Sequence, residues 1–223
     1  MTGQFIAQME QILWLYSLPY DPMHPVICFD ERPCFLIGDR VDSIAMQSGQ
    51  VKKEHYAYEK HGSCALLAAI EPLTGKRFAQ VHKRRTKKEF TSACQTIAAA
   101  YPQATTIQLV LDNLNTHKTG SFYDHLPADE ARALAQRFTF HYTPKSASWL
   151  NMIEIEFSAL ARLCLNRRIP TMAEVEIEVL AFFAKREQQQ VKIEWMFTVD
   201  DCREKLNSKY AIVNDANMRF ARS

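Results

Sequence analysis

Residues 26–30 read VICFD and residues 107–112 read IQLVLD. Each stretch is an apolar run that stops at an aspartate, and apolar runs without alternation are typical of strands buried on both faces of a sheet. If these strands are parallel neighbours, Asp30 and Asp112 emerge at the carboxyl edge of the sheet, where α/β folds bind their ligands. The two runs therefore predict both the fold class and the edge that carries the chemistry.

The remaining elements follow from hydrophobic periodicity. Helices are predicted over 4–17, 87–100, 128–137, 149–165 and 173–187. Strands are predicted over 26–29, 34–38, 64–70, 77–82, 107–111 and 138–142, with the polar stretch 41–61 as a loop or insertion. Several strands followed by helix–strand–helix indicate an α/β fold with a central mixed sheet flanked by helices. We expect residues 1–223 to form one domain with an N-terminal lead-in helix.

Glu154 is the candidate for a third acid. The pattern predicts that its helix begins after Pro144 with Ser146 or Ser148 as the cap, which places Glu154 about two turns into the helix. Asn151 precedes Glu154 by three residues, lies on the same helical face and is predicted to support the acids.

Glu156 is the alternative third acid. On a helix it points about 200° away from Glu154, so only one of the two can face the aspartates. Glu156 shares the apolar stripe of Ile153 and Leu160, whereas Glu154 shares its face with Asn151. The pattern therefore favours Glu154 and leaves Glu156 open.

Three converging carboxylates stay ionised only when cations neutralise them. Oxygen ligands select Mg²⁺ or Mn²⁺, and two such ions can clamp the attacking and leaving oxygens of a phosphodiester. Asp112 suits the bridging position, with Asp30 and Glu154 each completing one ion. Taken singly, an aspartate after a strand can be a cap and a helical glutamate can be solvated; the order of the three acids carries the hypothesis.

Charge is unevenly distributed along the chain. Its 27 Lys and Arg against 25 Asp and Glu give a net charge of +2, but residues 76–88 contain seven basic residues and no acid. The run Lys83, Arg84, Arg85, Lys87 and Lys88 is predicted to contact DNA phosphates, the alternative being a solvated helix start. Lys145 and Trp149 are two further DNA-binding candidates; Trp149 could stack on a flipped base or pack in the core.

Cysteine usage and hydropathy indicate the compartment. Six cysteines without a C-x-x-C pair fit neither a disulfide framework nor a zinc knuckle, so we expect reduced thiols in a cytoplasmic protein. No signal peptide or membrane-spanning stretch is predicted, since the longest apolar run, 64–70, is too short.

Longer motifs identify a family. The sequence resembles the DDE transposases of bacterial insertion sequences, specifically the IS six-thirty group of the mariner-type superfamily. The resemblance covers nearly the whole chain. Its most specific parts are LDNLNTH (111–117) and TPKSASWLNMIEIEF (143–157), with EPLTG (71–75) and YEKHG (58–62) in support.

The resemblance implies a ribonuclease-H-like fold that binds two Mg²⁺ ions. It places the three catalytic acids on Asp30, Asp112 and Glu154. It implies hydrolysis at the element ends, followed by attack of the freed 3′-hydroxyl on target DNA. Asn113 and His117 match the motif around the second acid, where they support the acids, contact DNA or simply cap the strand end.

Three departures from the family pattern affect this interpretation. Ser146 stands where many relatives have histidine, and the 41-residue gap between Asp112 and Glu154 is longer than in the mariner branch. The helix-turn-helix half that reads the terminal repeats is expected to be absent. We therefore expect a catalytic domain that acts on double-stranded DNA as a homodimer, in the bacterial nucleoid, with a possible upstream helix-turn-helix polypeptide. The rival hypotheses are a stand-alone nuclease and an inactive remnant that regulates by binding DNA or by oligomerising.

Overall fold

The computed structural model describes residues 1–40 and 57–220. Its strands are β1 (Val26–Asp39), β2 (Tyr58–Glu71), β3 (Lys76–His82), β4 (Ile107–Leu111) and β5 (Phe138–Tyr142). They form one mixed sheet in the order β3-β2-β1-β4-β5. The pairs β1–β2 and β2–β3 are antiparallel, whereas β1–β4 and β4–β5 are parallel. The predicted α/β fold with a central mixed sheet is confirmed.

Helices cover both faces of this sheet. They are α1 (Gly3–Ser17), α2 (Lys87–Ala100), α3 (Gly120–Tyr123), α4 (Ala128–Gln136), α5 (Ile153–Leu163), α6 (Met172–Gln188), α7 (Val199–Lys205) and α8 (Asn207–Val213). The first helix and α5 to α8 pack on one face, and α2 to α4 on the other. Neighbouring residues of β1 enter opposite cores: Cys28 joins the first and Phe29 the second. The central strands are therefore apolar on both faces, as their sequence predicts.

The strands predicted over 26–29 and 34–38 are one continuous strand, so that prediction is wrong. Antiparallel pairing with β2 carries β1 from Cys28 through to Asp39. Pro33 is tolerated because it lies beyond the part of β1 that pairs with β4, where no second ladder needs its missing N–H. Asp30 consequently lies within a strand and not at its end.

The predicted helix 149–165 is also wrong at its start. A short 3-10 helix covers Ser148–Leu150, the backbone at Asn151 is extended, and α5 begins only at Ile153. No side chain caps α5, so neither Ser146 nor Ser148 does so. Glu154 therefore lies in the first turn of α5, not two turns in.

The other predicted elements are observed within a few residues of their predicted ends, except that β2 begins at Tyr58 inside the stretch predicted as a loop. Most of that stretch, 41–56, lies outside the described residues. All six cysteines are free thiols, and five of them are buried. No helix in the described part of the chain is long and apolar enough to cross a membrane.

Candidate active site

Asp30 and Asp112 lie at the same level of the sheet. The parallel ladder between β1 and β4 pairs Val26 with Gln108 and Cys28 with Val110. Two further residues in this register align Asp30 with Asp112, which directly follows β4. The sheet thus brings the first two predicted acids to adjacent strands, both partly exposed.

Helix α5 brings Glu154 to the same place through Asn151. The buried Asn151 amide donates to the Phe29 carbonyl at 2.8 Å and approaches Asp30 Oδ2 at 3.5 Å. This contact anchors the residue three positions before Glu154 to β1. The Oδ1 atom of Asn151 is buried and makes no hydrogen bond within residues 1–40 and 57–220.

The electrostatics of Asp30 reflect this clustering. Burial raises its pKa, and although the Glu31 N–H lowers it by donating to Oδ1 at 2.7 Å, the charges of Asp112 and Glu154 raise it further, to about 7. The charges of Asp112 and Glu154 therefore both act on Asp30. No three Asp, Glu, His or Cys side chains in the described part of the chain are arranged to hold a single metal ion.

His117 links Asp112 to a fourth carboxylate. Its Nδ1 lies 2.5 Å from Asp112 Oδ1, and its Nε2 lies 3.2 Å from Glu31 Oε1. Burial opposes protonation of this ring, but the hydrogen bonds to both carboxylates outweigh it and raise the pKa of His117 to about 9. The ring is therefore an imidazolium that donates from both nitrogens.

Sequence reasoning missed Glu31. Its side chain is 1% exposed, and its Oε2 lies 3.8 Å from the Arg85 guanidinium. The alternation of side chains along a strand could have predicted its burial. Glu31 lies on the same face of β1 as Phe29, which packs in the core beneath α2. A carboxylate at such a position requires a buried partner, and His117 supplies it.

Glu156 points away from the aspartates into a buried ion-pair cluster. Arg77 donates to Glu156 Oε2 at 2.9 Å and to Oε1 at 3.0 Å, and Arg186 makes a similar pair of contacts at 2.9 and 2.8 Å. The Glu156 side chain is fully buried. Both carboxylate oxygens of Glu156, the alternative third acid, are therefore bonded to guanidinium groups.

Asn113 stays apart from the acids. It is exposed, and its side-chain oxygen accepts a hydrogen bond from Lys118. The predicted supporting residues thus divide, with Asn151 and His117 contacting the aspartates and Asn113 facing solvent.

The basic run forms an exposed connection between β3 and α2. All five of its cations are exposed. Arg85 faces Glu31 at 3.8 Å and Lys87 pairs with Asp124 at 2.7 Å. The other three, Lys83, Arg84 and Lys88, make no ion pair with the described residues. The Arg85 contact places this run beside the Glu31–His117–Asp112 network.

Trp149 and Lys145 lie in the segment that leads into α5. Trp149 is 44% exposed, so it is not a core residue, and its ring stacks on Trp195 with centroids 6.3 Å apart. Lys145 is exposed and neighbours Ser146, whose φ is +63°.

Comparison with known proteins adds a family match. Residues 25–176 match the family model described as "DDE superfamily endonuclease", a span that includes Asp30, Asp112 and Glu154. A search of curated proteins found no significant match.

Several solved structures of the Mos1 transposase have a similar fold. The Mos1 transposase paired-end complex with the left transposon end superimposes with a TM-score of 0.55 and 11% identity, covering 86% of this chain and 59% of that one. The Mos1 strand transfer complex has a TM-score of 0.55 and 12% identity, covering 84% of this chain and 56% of that one. The Mos1 mariner paired-end complex with Mn has a TM-score of 0.54 and 12% identity, covering 86% of this chain and 59% of that one. This chain therefore spans less than two thirds of the length of those proteins. At such identity the likeness shows the ribonuclease-H-like fold alone.

Proposed function

Because the chain belongs to the DDE superfamily endonuclease family, we propose that it is the catalytic domain of a DNA transposase. It would cleave the ends of an insertion sequence and join them to target DNA. The observation that carries the proposal is geometric: the β1–β4 register aligns Asp30 with Asp112, and the Asn151 amide bonds to the Phe29 carbonyl and so holds the segment before Glu154 beside Asp30. The motifs LDNLNTH and TPKSASWLNMIEIEF favour the IS six-thirty group of bacterial insertion sequences.

Asp30, Asp112 and Glu154 would hold two divalent cations, Mg²⁺ or Mn²⁺. The donor set fits because carboxylate oxygens are the ligands these ions prefer, and because the unpartnered Oδ1 of Asn151 adds a neutral oxygen beside Asp30. When bound, such ions supply Lewis-acid stabilisation of the charge that develops on the phosphodiester. One of the similar structures is described as a complex with Mn.

The chain's own residues hold the acids in place. His117 binds one oxygen of Asp112 through Nδ1 and leaves Asp112 Oδ2 without a hydrogen-bond partner in the described part of the chain. Glu31 fixes the opposite side of the ring. Asn151 ties the start of α5 to β1, and so keeps Glu154 near Asp30. These contacts restrict each carboxylate before the substrate arrives, as preorganisation requires.

The proposed reaction has two steps. In the first, water attacks a phosphodiester at the element end, the P–O3′ bond breaks, and the departing 3′-oxygen takes a proton. In the second, that 3′-hydroxyl loses its proton and attacks a phosphodiester of the target, forming one P–O bond and breaking another. Neither step needs an oxidant or a reductant.

DNA would approach along the exposed cations. Lys83, Arg84 and Lys88 would contact phosphates, while Arg85 and Lys87 would first exchange their carboxylate partners for phosphates. Lys145 and Trp149, both exposed in the segment that leads into α5, would form a second DNA contact apart from the basic run.

The partners follow from the same proposal. Double-stranded DNA, as element end and as target, is the substrate, and a homodimer would hold two ends together. Recognition of the terminal repeats would come from a helix-turn-helix polypeptide, in keeping with the greater length of the Mos1 proteins. The free thiols suit the reducing bacterial cytoplasm.

Nicking of end-bearing DNA tests this proposal. The chain is incubated with Mg²⁺ and the DNA, with and without a helix-turn-helix polypeptide, and free 3′-ends and joined products are quantified. Cleavage with joining supports a transposase. Cleavage without joining under both conditions indicates a stand-alone nuclease, and no cleavage under either indicates a non-catalytic regulator.

A further inference from the structure

A groove of about 730 Å³ opens beside the segment that carries Trp149. Its lining includes four aromatic side chains, Phe5, Trp149, Trp195 and Phe197, and three lysines, Lys145, Lys205 and Lys209. None of its described lining residues is acidic. We call it the aromatic groove. Its lining comes from α1, α7, α8 and the segments that precede α5 and α7, separate from the basic run at the start of α2.

The aromatic walls are held rigidly. The rings of Trp149 and Trp195 are nearly parallel, at an interplanar angle of 17°. Trp195 Nε1 donates to the Phe197 carbonyl at 2.7 Å, and its ring packs against Tyr16 with centroids 5.3 Å apart. Tyr16 is fixed in turn because its hydroxyl donates to the Leu150 carbonyl at 2.7 Å. Trp149 nevertheless remains 44% exposed, so a preorganised aromatic face is open to solvent.

The charges of the groove select an anion. All three lysines are exposed, and none forms an ion pair with an acid in the described part of the chain. Lys205 lies over the Phe197 ring, 5.7 Å from its centroid. Flat apolar walls surrounded by cations match a chain that alternates aromatic bases with phosphates. A duplex hides the faces of its bases, so the occupant that fits both features is unpaired DNA.

We propose that the aromatic groove binds a single-stranded DNA segment, with a base stacked on Trp149 and phosphates held by Lys145 and Lys209. The inference rests on the proposed function and deepens it. Trp149 lies two residues before Asn151, whose amide contacts the Phe29 carbonyl and Asp30, so the groove would hold unpaired nucleotides near the proposed cleavage site. The occupied segment is the strand released or distorted at the cut.

Fluorescence anisotropy with the full chain in EDTA tests the groove without permitting cleavage. The probes are a fluorescein-labelled oligothymidylate of about 12 nucleotides and a blunt duplex of similar length. We expect tighter binding of the single strand, a loss of about tenfold with Trp149→Ala, and retention of most affinity with Trp149→Phe. Trp14→Ala is the matched control, since Trp14 is 51% exposed on α1 outside the groove.

Two further measurements keep the test independent of any folding defect in Trp149→Ala. In Trp14→Phe protein the remaining indoles lie in the groove, and oligothymidylate should quench their fluorescence. The pair Lys145→Gln and Lys209→Gln should weaken the salt dependence of binding, whereas Lys185→Gln with Lys192→Gln should not.

Three results would overturn the inference: equal binding of single strand and duplex with no effect of Trp149→Ala; absence of quenching; or displacement of oligothymidylate by an equal concentration of oligoglutamate, which would indicate a site for an acidic polypeptide. None of these would remove Mg²⁺-dependent nicking, so failure of the groove is distinguishable from failure of the proposed function.

Discussion

His117 and Glu31 form a buried contact, with His117 Nε2 3.2 Å from Glu31 Oε1, while the other ring nitrogen contacts Asp112. Phe29 and Phe90 enclose the imidazole, with ring centroids 5.4 and 4.8 Å away. The buried Glu31 thus helps to fix the orientation of Asp112, one of the acids proposed to act in cleavage. Histidine–carboxylate contacts of this kind commonly orient metal ligands.

Glu31→Gln should slow cleavage although Glu31 touches no substrate. The substitution keeps an acceptor for His117 but removes the buried charge that helps to stabilise the imidazolium, so Asp112 loses its rigid partner. We expect nicking at saturating Mg²⁺ to fall about 10- to 100-fold. Glu130→Gln, an exposed change on α4, is the control. Equal rates for Glu31→Gln and wild type would exclude this positioning role.

Glu156→Gln should destabilise the fold. It leaves Arg77 buried with a neutral partner, and breaking a buried pair costs about 3 kcal/mol of unfolding free energy. Urea unfolding at pH 7 measures this loss, with Glu176→Gln on the exposed face of α6 as the control. A loss no larger than that of Glu176→Gln would show that the ion-pair cluster contributes little.

The stability effect of Glu156→Gln should depend on pH. Burial alone would raise the pKa of Glu156, but hydrogen bonds from Arg186 and Arg77 outweigh it and lower the pKa. The stability contributed by the Glu156 charge is therefore present above the pKa of the unfolded chain and disappears as the pH falls through the lower folded pKa. The stability difference between wild type and Glu156→Gln should shrink in acid. A difference that grows below pH 4, roughly the ordinary carboxyl pKa, would contradict this.

Neutralising the basic run should weaken duplex binding and reduce its dependence on salt. In the triple variant Lys83→Gln, Arg84→Gln and Lys88→Gln, each lost phosphate contact should lower the slope of log K against log salt by about 0.9. Anisotropy titrations over a salt series measure it. Arg132→Gln, Lys185→Gln and Lys192→Gln together remove the same charge from exposed positions elsewhere. Identical slopes for the two triple variants would show that the run has no specific role.

The fold could be predicted from sequence because its signal is local. The apolar run 107–111 and the periodic stretch 87–100 are a strand and a helix within those limits. The prediction of where α5 begins was wrong for a long-range reason: the Asn151 side chain donates a hydrogen bond to the carbonyl of Phe29, 122 residues earlier in the chain. Such a contact leaves no periodic trace around residue 149.

The candidate site was predictable only in part. The order of the acids suggested Asp30, Asp112 and Glu154, and the apolar stripe suggested burial of Glu156. The sequence did not predict which residues pair with the buried charges, because Glu31 and His117 are 86 residues apart in the chain and Arg77 and Glu156 are 79 residues apart. Pairing of this kind depends on how the elements pack, which their individual patterns do not specify.

Asp112→Asn tests the central claim most directly. The change preserves size but removes one anionic oxygen from the acid proposed to bridge two cations. Nicking of end-bearing DNA and Mg²⁺-induced thermal stabilisation are measured together on this variant, with Asp129→Asn on the exposed start of α4 as the control. We expect both properties to be lost with Asp112→Asn, cleavage by several orders of magnitude, and retained with Asp129→Asn. Wild-type cleavage and wild-type Mg²⁺ stabilisation in Asp112→Asn would place the site elsewhere.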